Sequence, residues 1–258
     1  MSVVIAFANQ KGGVGKTTTT VSVAAGAAER GVRVLLVDAD PQANSTSALG
    51  CRPDGGSLYE VLAGRRRGAD AVVATASPLL SLLPASGDLA GAAVELVAQT
   101  SREHRLRLAL EGVRADYDLI LIDCPPSLGL LTVNALVAAD QVIVPVQCEY
   151  LALEGLGQLA RTIELVRANL NPGLELLGVV LTMFDARTKL GRQVQQEVRR
   201  HFDSTFETAI PRSVRLAEAP SHGQPIQIYD RRSPGALAYE SLVDELLGRL
   251  RLPRGGGR

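Results

Sequence analysis

The stretch that most restricts the fold runs from Phe7 to Thr20, FANQKGGVGKTTTT, directly after the apolar residues Val3, Val4, Ile5 and Ala6. Strand residues feeding a glycine-rich turn and then a helical run make a strand–turn–helix unit. Its backbone N–H groups converge on one point at the helix N-terminus. A strand followed by a crossover helix calls for a parallel neighbour. The chain supplies several, with candidate strands at Val3–Ala8, Val32–Val37, Leu80–Leu83, Leu119–Ile122, Gln141–Val146 and Leu176–Leu181, and a short one near Thr208–Ile210. Helical patterns lie between them at Thr17–Glu29, Leu89–Val113, Leu128–Ala138, Leu153–Asn169, Gly191–Phe202 and Leu237–Leu250. The strands are apolar on both faces, as in a parallel sheet covered by helices on each side. The expected fold is a single α/β domain over residues 1–250, with a doubly wound, mostly parallel sheet and helices on both faces. Arg52–Gly56 and Ala63–Asp70 read as surface loops, and residues 251–258, ending in RGGGR, as a disordered tail.

The loop has phosphate-binding chemistry with altered spacing. In G-x-x-x-x-G-K-[ST], Gly15, Lys16 and Thr17 occupy the last three positions, yet the first glycine position holds Gln10 and a second lysine, Lys11, follows. Gly12, Gly13 and Gly15 let the backbone turn its N–H groups onto an anion. Lys16 would meet the β and γ phosphates and the Thr17 hydroxyl would bind Mg²⁺. Such a site needs carboxylates at the ends of neighbouring strands. LLVDADPQ ends one strand with Asp38 and Asp40, and LILIDCPPS ends another with Asp123. Four apolar residues and then an aspartate is the Walker B arrangement, which delivers one carboxylate to a metal. Asp40, just past its strand, is placed to orient an attacking water. Asp38 is equally readable as a turn or cap residue.

Composition excludes more than it selects. Basic and acidic residues both total 27, so no overall charge marks a nucleic-acid partner. Position matters more: residues 1–180 hold 14 basic and 18 acidic side chains, and residues 181–258 hold 13 and 9. The final third can therefore present a basic face. Cys51, Cys124 and Cys148 are too few and too scattered for a disulfide framework or a C-x-x-C metal site, which suits a reducing cytoplasm. No basic-then-apolar leader opens the chain and no 18-residue apolar run lacks charge, so neither export nor membrane spanning is expected.

KGGVGKTT, DADPQANST, DCPPS, LTMFDART and PRSVRLAEAPSHGQPI occur in this order. Together they resemble the ParA/Soj family of DNA-partitioning ATPases, within the deviant-Walker P-loop class that includes MinD and the nitrogenase iron protein. The resemblance spans Val3 to Leu247. It implies an ATP- and Mg²⁺-dependent ATPase, slow unless stimulated, whose ATP-bound homodimer binds double-stranded DNA without reading its sequence. It also implies a ParB-like centromere-binding partner that stimulates hydrolysis, and a cytoplasmic, nucleoid-associated protein. Lys11 matches the signature lysine, which reaches across the dimer to phosphates on the other subunit. Lys11, Gly12, Gly13, Val14, Gly15, Lys16, Thr17 and Thr18 form the nucleotide loop by this resemblance. Lys11, Lys16 and Asp40 match catalytic positions, and Thr17, Asp40 and Asp123 the metal site. Pro211 and Ser213 match the adenine-lining segment, with Met183 flanking the same pocket.

Seven basic residues lie between Arg187 and Arg215 without an aromatic, helix-turn-helix or zinc signature. Any DNA contact there would go to phosphates. Arg187 and Arg215 best match the family's DNA-binding arginines, while a solvated helix face is the plain alternative. A MinD-like, membrane-associated ATPase for cell-division positioning is the competing reading. It would need an amphipathic C-terminal helix, which Pro253 and the following glycines stop early. Stable membrane association is therefore not expected. A nitrogenase-type reductase would need cysteines in another context, and an amide-forming ligase of this class an added substrate domain.

Overall fold

The computed structural model describes residues 2–53, 56–149 and 152–252. Strands β1 (Val3–Phe7), β2 (Val34–Asp38), β3 (Val73–Ala74), β4 (Leu80–Leu83), β5 (Leu119–Asp123), β6 (Gln141–Gln147) and β7 (Glu175–Thr182) form one sheet in the order β3-β4-β2-β5-β1-β6-β7. Every neighbouring pair is parallel except β3 with β4. The helices are α1 (Lys16–Glu29), α2 (Asn44–Ala48), α3 (Leu58–Leu62), α4 (Gly68–Ala71), α5 (Leu89–Glu95) and α6 (Arg105–Glu111), then α7 (Leu130–Ala138), α8 (Ala152–Asn169), α9 (Lys189–His201), α10 (Val214–Glu218), α11 (Ile226–Tyr229) and α12 (Pro234–Leu250). This is the doubly wound α/β fold expected from the strand pattern.

Alternating strand residues build two cores. Val4, Ala6, Leu35, Val37, Ile120 and Ile122 face a layer that includes Leu62, Leu89, Leu136 and Leu159. Ile5, Phe7, Leu36, Leu119 and Leu121 face α1, α11 and α12. Because a strand's side chains alternate, strands buried on both sides must be apolar throughout, which is what their sequences show. Each fully buried leucine contributes about 1.5–3 kcal/mol. Helices α1 and α12 approach so closely at Gly26 that a Cβ there would lie 2.8 Å from a Val243 methyl. Helix α12 is thus docked on the core through Tyr239, Leu242, Val243, Leu246 and Leu247 rather than presenting a free apolar face. No helix among the described residues is long and apolar enough to cross a membrane.

Several elements differ from the sequence reading. The continuous helix expected over Leu89–Val113 is broken: Gln99 is extended and Ser101 is left-handed at φ 53°. Asn134 of α7 stabilises the break, donating to the Arg102 carbonyl at 2.8 Å and accepting from the Leu106 amide at 3.1 Å. The Thr208–Ile210 segment is not a strand. It runs beside β7 and covers part of its edge, with the Phe206 and Ile210 amides donating to the Val179 and Leu181 carbonyls. Part of the loop expected at Ala63–Asp70 is α4, where Gly68 packs so near the Ala109 carbonyl that a Cβ would lie 2.7 Å from it. Of the proposed tail, residues 253–258 lie outside the described residues.

Candidate functional site

Register places the site. Phe7 of β1 and Asp38 of β2 are both level with Asp123 of β5, so the glycine loop and two aspartates share one edge of the sheet. Gly13 (φ 74°) and Gly15 (φ 82°) adopt the left-handed conformation that glycine tolerates. Gly12 does not, so two of the three glycines make the turn. Gly15 caps α1 without any side-chain hydrogen bond, leaving the helix's first N–H groups directed at the cavity. The loop is tied on both sides. Asn9 Nδ2 donates to the Pro145 carbonyl at 2.7 Å, and Thr182 Oγ1 donates to the Val14 carbonyl at 2.8 Å.

Lys16 is buried and its ammonium donates to the Lys11 carbonyl at 3.2 Å. Desolvation lowers its pKa, against the opposing pull of Asp123, Cys124 and Asp40. A buried ammonium short of anionic partners is a poised anion receptor. Beneath it, Asp123 accepts from Ser45 Oγ at 2.8 Å and lies against the Thr17 hydroxyl. Asp38 accepts the Thr46 amide and hydroxyl, both at 2.8 Å, and the Asp40 amide at 3.2 Å. It is therefore a fully buried bracket for the turn into α2. Burial raises the pKa of both Asp38 and Asp123, and Asp38 is raised further by the charge of Asp123. Asp40 Oδ1 accepts the Gln42 amide at 2.9 Å, which fixes the carboxylate at the cavity wall.

A cavity of about 290 Å³ is lined by Gly12, Gly13, Gly15, Lys16, Thr17, Thr18, Asp40, Gln42, Asn44, Pro126 and Met183. A second of about 190 Å³ shares Gly15, Thr18 and Met183 with it and is walled by Thr182, Ile210, Pro211, Arg212, Ser213 and Tyr239. Met183 joins the two, held at φ 50° between the end of β7 and a bridge from Phe184 to Pro211. Of the expected nucleotide-site residues, Gly12, Gly13, Gly15, Lys16, Thr17, Thr18, Asp40, Met183, Pro211 and Ser213 line these two cavities. Val14 is buried behind the loop. Gln42, Asn44, Ser45 and Pro126 were not singled out in the sequence; all lie in the DADPQANST and DCPPS segments, where residue type gave no separate signal.

Three expected site residues lie outside these cavities and are held in ion pairs. Lys11 Nζ lies 2.6 Å from Glu149 Oε2. Arg187, with a side chain 90% exposed, is paired with Asp185 of its own turn. Arg215 is paired with Glu218 at 2.9 Å and Asp230 at 3.4 Å. Arg199 and Arg200 also have carboxylate partners, whereas among the described residues none lies in ion-pair reach of Lys189, Arg192 or Arg212.

Comparison with known proteins agrees with this fold. A family profile described as an AAA domain matches residues 2–176. The sporulation initiation inhibitor protein Soj of Bacillus subtilis is 55% identical over 249 residues, covering 95% of this chain and 98% of that one. The chromosome partitioning protein ParA of Caulobacter vibrioides is 52% identical over 253 residues, covering 96% and 95%. Among solved structures, a cobyrinic acid a,c-diamide synthase from Mycobacterium smegmatis with bound ATP analogue and magnesium superposes with a TM-score of 0.84. It is 43% identical and covers 99% of this chain and 98% of that one. A chain of this size can thus carry an amide-forming enzyme's name, so length does not exclude that reading. The chain belongs to the ParA/Soj family of partitioning ATPases.

Proposed function

We propose that this protein is an ATP-dependent partitioning switch. ATP closes a face-to-face homodimer, the dimer binds double-stranded DNA non-specifically, and hydrolysis stimulated by a ParB-like centromere-binding protein releases it. The observation that carries this reading is the bipartite cavity, where the Gly12–Thr18 loop, buried Lys16 and Asp40 meet above Thr17 and Asp123. The triphosphate fits the loop half, and the base fits the cleft between Met183, Pro211 and Ser213. ATP and Mg²⁺ suit the donors present. The Thr17 hydroxyl and the Asp123 carboxylate are hard oxygen ligands on one edge. When bound, Mg²⁺ would supply positive charge that offsets the charge of the phosphates.

The chain's own groups account for the rest. Loop N–H groups and Lys16 hold the phosphates, and Asp40 orients the attacking water. Lys11, once moved from Glu149, reaches phosphates on the partner. No arginine lines the phosphate cavity among the described residues, which supports slow unstimulated turnover. Arg187 and Arg215 contact DNA phosphates, and the ATP-bound protein is nucleoid-associated in the cytoplasm. The docking of α12 argues against a MinD-like membrane anchor.

Asp40→Ala tests this reading. Phosphate release should fall by about 10²- to 10⁴-fold while ATP binding and dimerisation persist, leaving a long-lived dimer on DNA. Parent-like turnover in this variant would remove Asp40 from the chemistry.

A further inference from the structure

The cis contact of Lys11 has a consequence for dimerisation. Lys11 and Glu149 pair across 138 residues of sequence, with side chains 42% and 44% exposed. Both ends are anchored. The Lys11 amide donates to Asn9 Oδ1 at 3.0 Å, Asn9 is pinned to the Pro145 carbonyl, and the Lys11 carbonyl accepts Lys16 Nζ. Glu149 stands just beyond β6, its amide donates to the Gln147 carbonyl at 2.8 Å, and Gln147 Nε2 donates to its other carboxylate oxygen. Strands β1 and β6 are neighbours in the sheet, so the two anchors are set by the fold. The pair is accordingly held with less side-chain freedom than a chance surface contact.

One ammonium cannot serve both Glu149 and a distant triphosphate. We propose that Glu149 is a latch on Lys11: it holds the lysine back in the free subunit, so each subunit must break this ion pair before ATP can join two of them. The idea rests on the cross-subunit role of Lys11 proposed above. Glu149 acts through Lys11 and is a positioning residue. Two exposed pairs of ordinary strength are broken per dimer, which corresponds to roughly 2- to 30-fold in the dimerisation constant. The latch sets a threshold rather than a block.

The test measures dimerisation of the full chain by light scattering with a non-hydrolysable ATP analogue. Glu149→Gln should tighten the dimer by that factor at low salt, and the gap should close toward 1 M salt, where the Debye length is about 3 Å. Glu149→Asp keeps the charge but withdraws it by one methylene, and should resemble Glu149→Gln. Analogue affinity of the monomer should stay at the parent value, and the nucleotide-free unfolding midpoint should fall by no more than the loss of one exposed ion pair allows. A dimer of unchanged or weaker affinity in Glu149→Gln overturns the latch, as does a lowered unfolding midpoint without tighter dimerisation. Lys11→Ala separates the two ideas. Normal dimerisation by that variant removes the cross-subunit role and the latch together. Failed dimerisation, with Glu149→Gln no tighter than the parent, removes only the latch.

Discussion

The cavity edge of the sheet and the Arg187–Arg215 segment both gather charge, and they treat it in opposite ways. At the edge, Lys16, Asp38, Asp40 and Asp123 are all at least nine-tenths buried; Ser45 and Thr17 hold Asp123 and Thr46 holds Asp38, while the Lys16 ammonium has only the Lys11 carbonyl. In the basic segment, Arg187 and Arg215 are exposed and satisfied by carboxylates close in sequence. Burying an ammonium or carboxylate is costly unless a ligand or network compensates, whereas an exposed ion pair contributes little and exchanges readily for another. The first arrangement demands a ligand. The second tolerates one.

Lys16→Ala should give the largest effect. Removing the buried cation that faces the phosphates should weaken ATP binding by about 2–5 kcal/mol, roughly 30- to 5,000-fold in Kd. Undiminished affinity in a filter-binding assay would erase the contrast between the two regions.

Acid should separate the regions next. Asp38 and Asp123 have raised folded-state pKa values, so the nucleotide-free protein takes up protons at these sites before the unfolded chain does. Their contribution to stability is fully present below the ordinary carboxylate range and is lost as pH rises toward about 7. The unfolding midpoint should therefore rise as pH falls from about 8 to about 5.5. Exposed pairs act with the other sign and lower down. Asp185, held near 2 by Arg187, contributes stability above its unfolded value that is lost only in stronger acid. A midpoint flat over the upper range, followed by differential scanning calorimetry, would mean the aspartates are not protonated there.

The smallest effect belongs to the exposed side. Arg187→Glu and Arg215→Glu should each leave ATP binding intact and weaken DNA binding equally for unrelated sequences. Each lost phosphate contact should flatten the log–log salt dependence by about 0.9, or roughly 1.8 for two sites per dimer. Arg65→Glu, outside the Arg187–Arg215 segment, should change neither. If the two arginine variants keep the parent's slope, the segment is a solvated face. The DNA surface would then lie elsewhere, with Arg66–Arg67 and Arg231–Arg232 the next segments to test.

The same contrast governs what could be read from residues alone. The loop, the strand-end Asp123 and all six longer strands were legible because buried strands permit little but apolar residues, whereas Asp38 was equally readable as a turn residue. The two-residue β3 is too short to carry a period. The broken helix at Gln99–Ser101 depends on Asn134, more than 30 residues away. Glu149 was invisible for the same reason, since its partner is 138 residues distant. Local composition cannot report a contact that the fold creates.

If the buried region controls the exposed one, a gel shift measures this directly. Two duplexes of unrelated sequence should be retarded equally with ATP and Mg²⁺, and neither with ADP or without nucleotide. Binding that is the same under all three conditions would contradict the claim, leaving a nucleotide site and a basic surface with no switch between them.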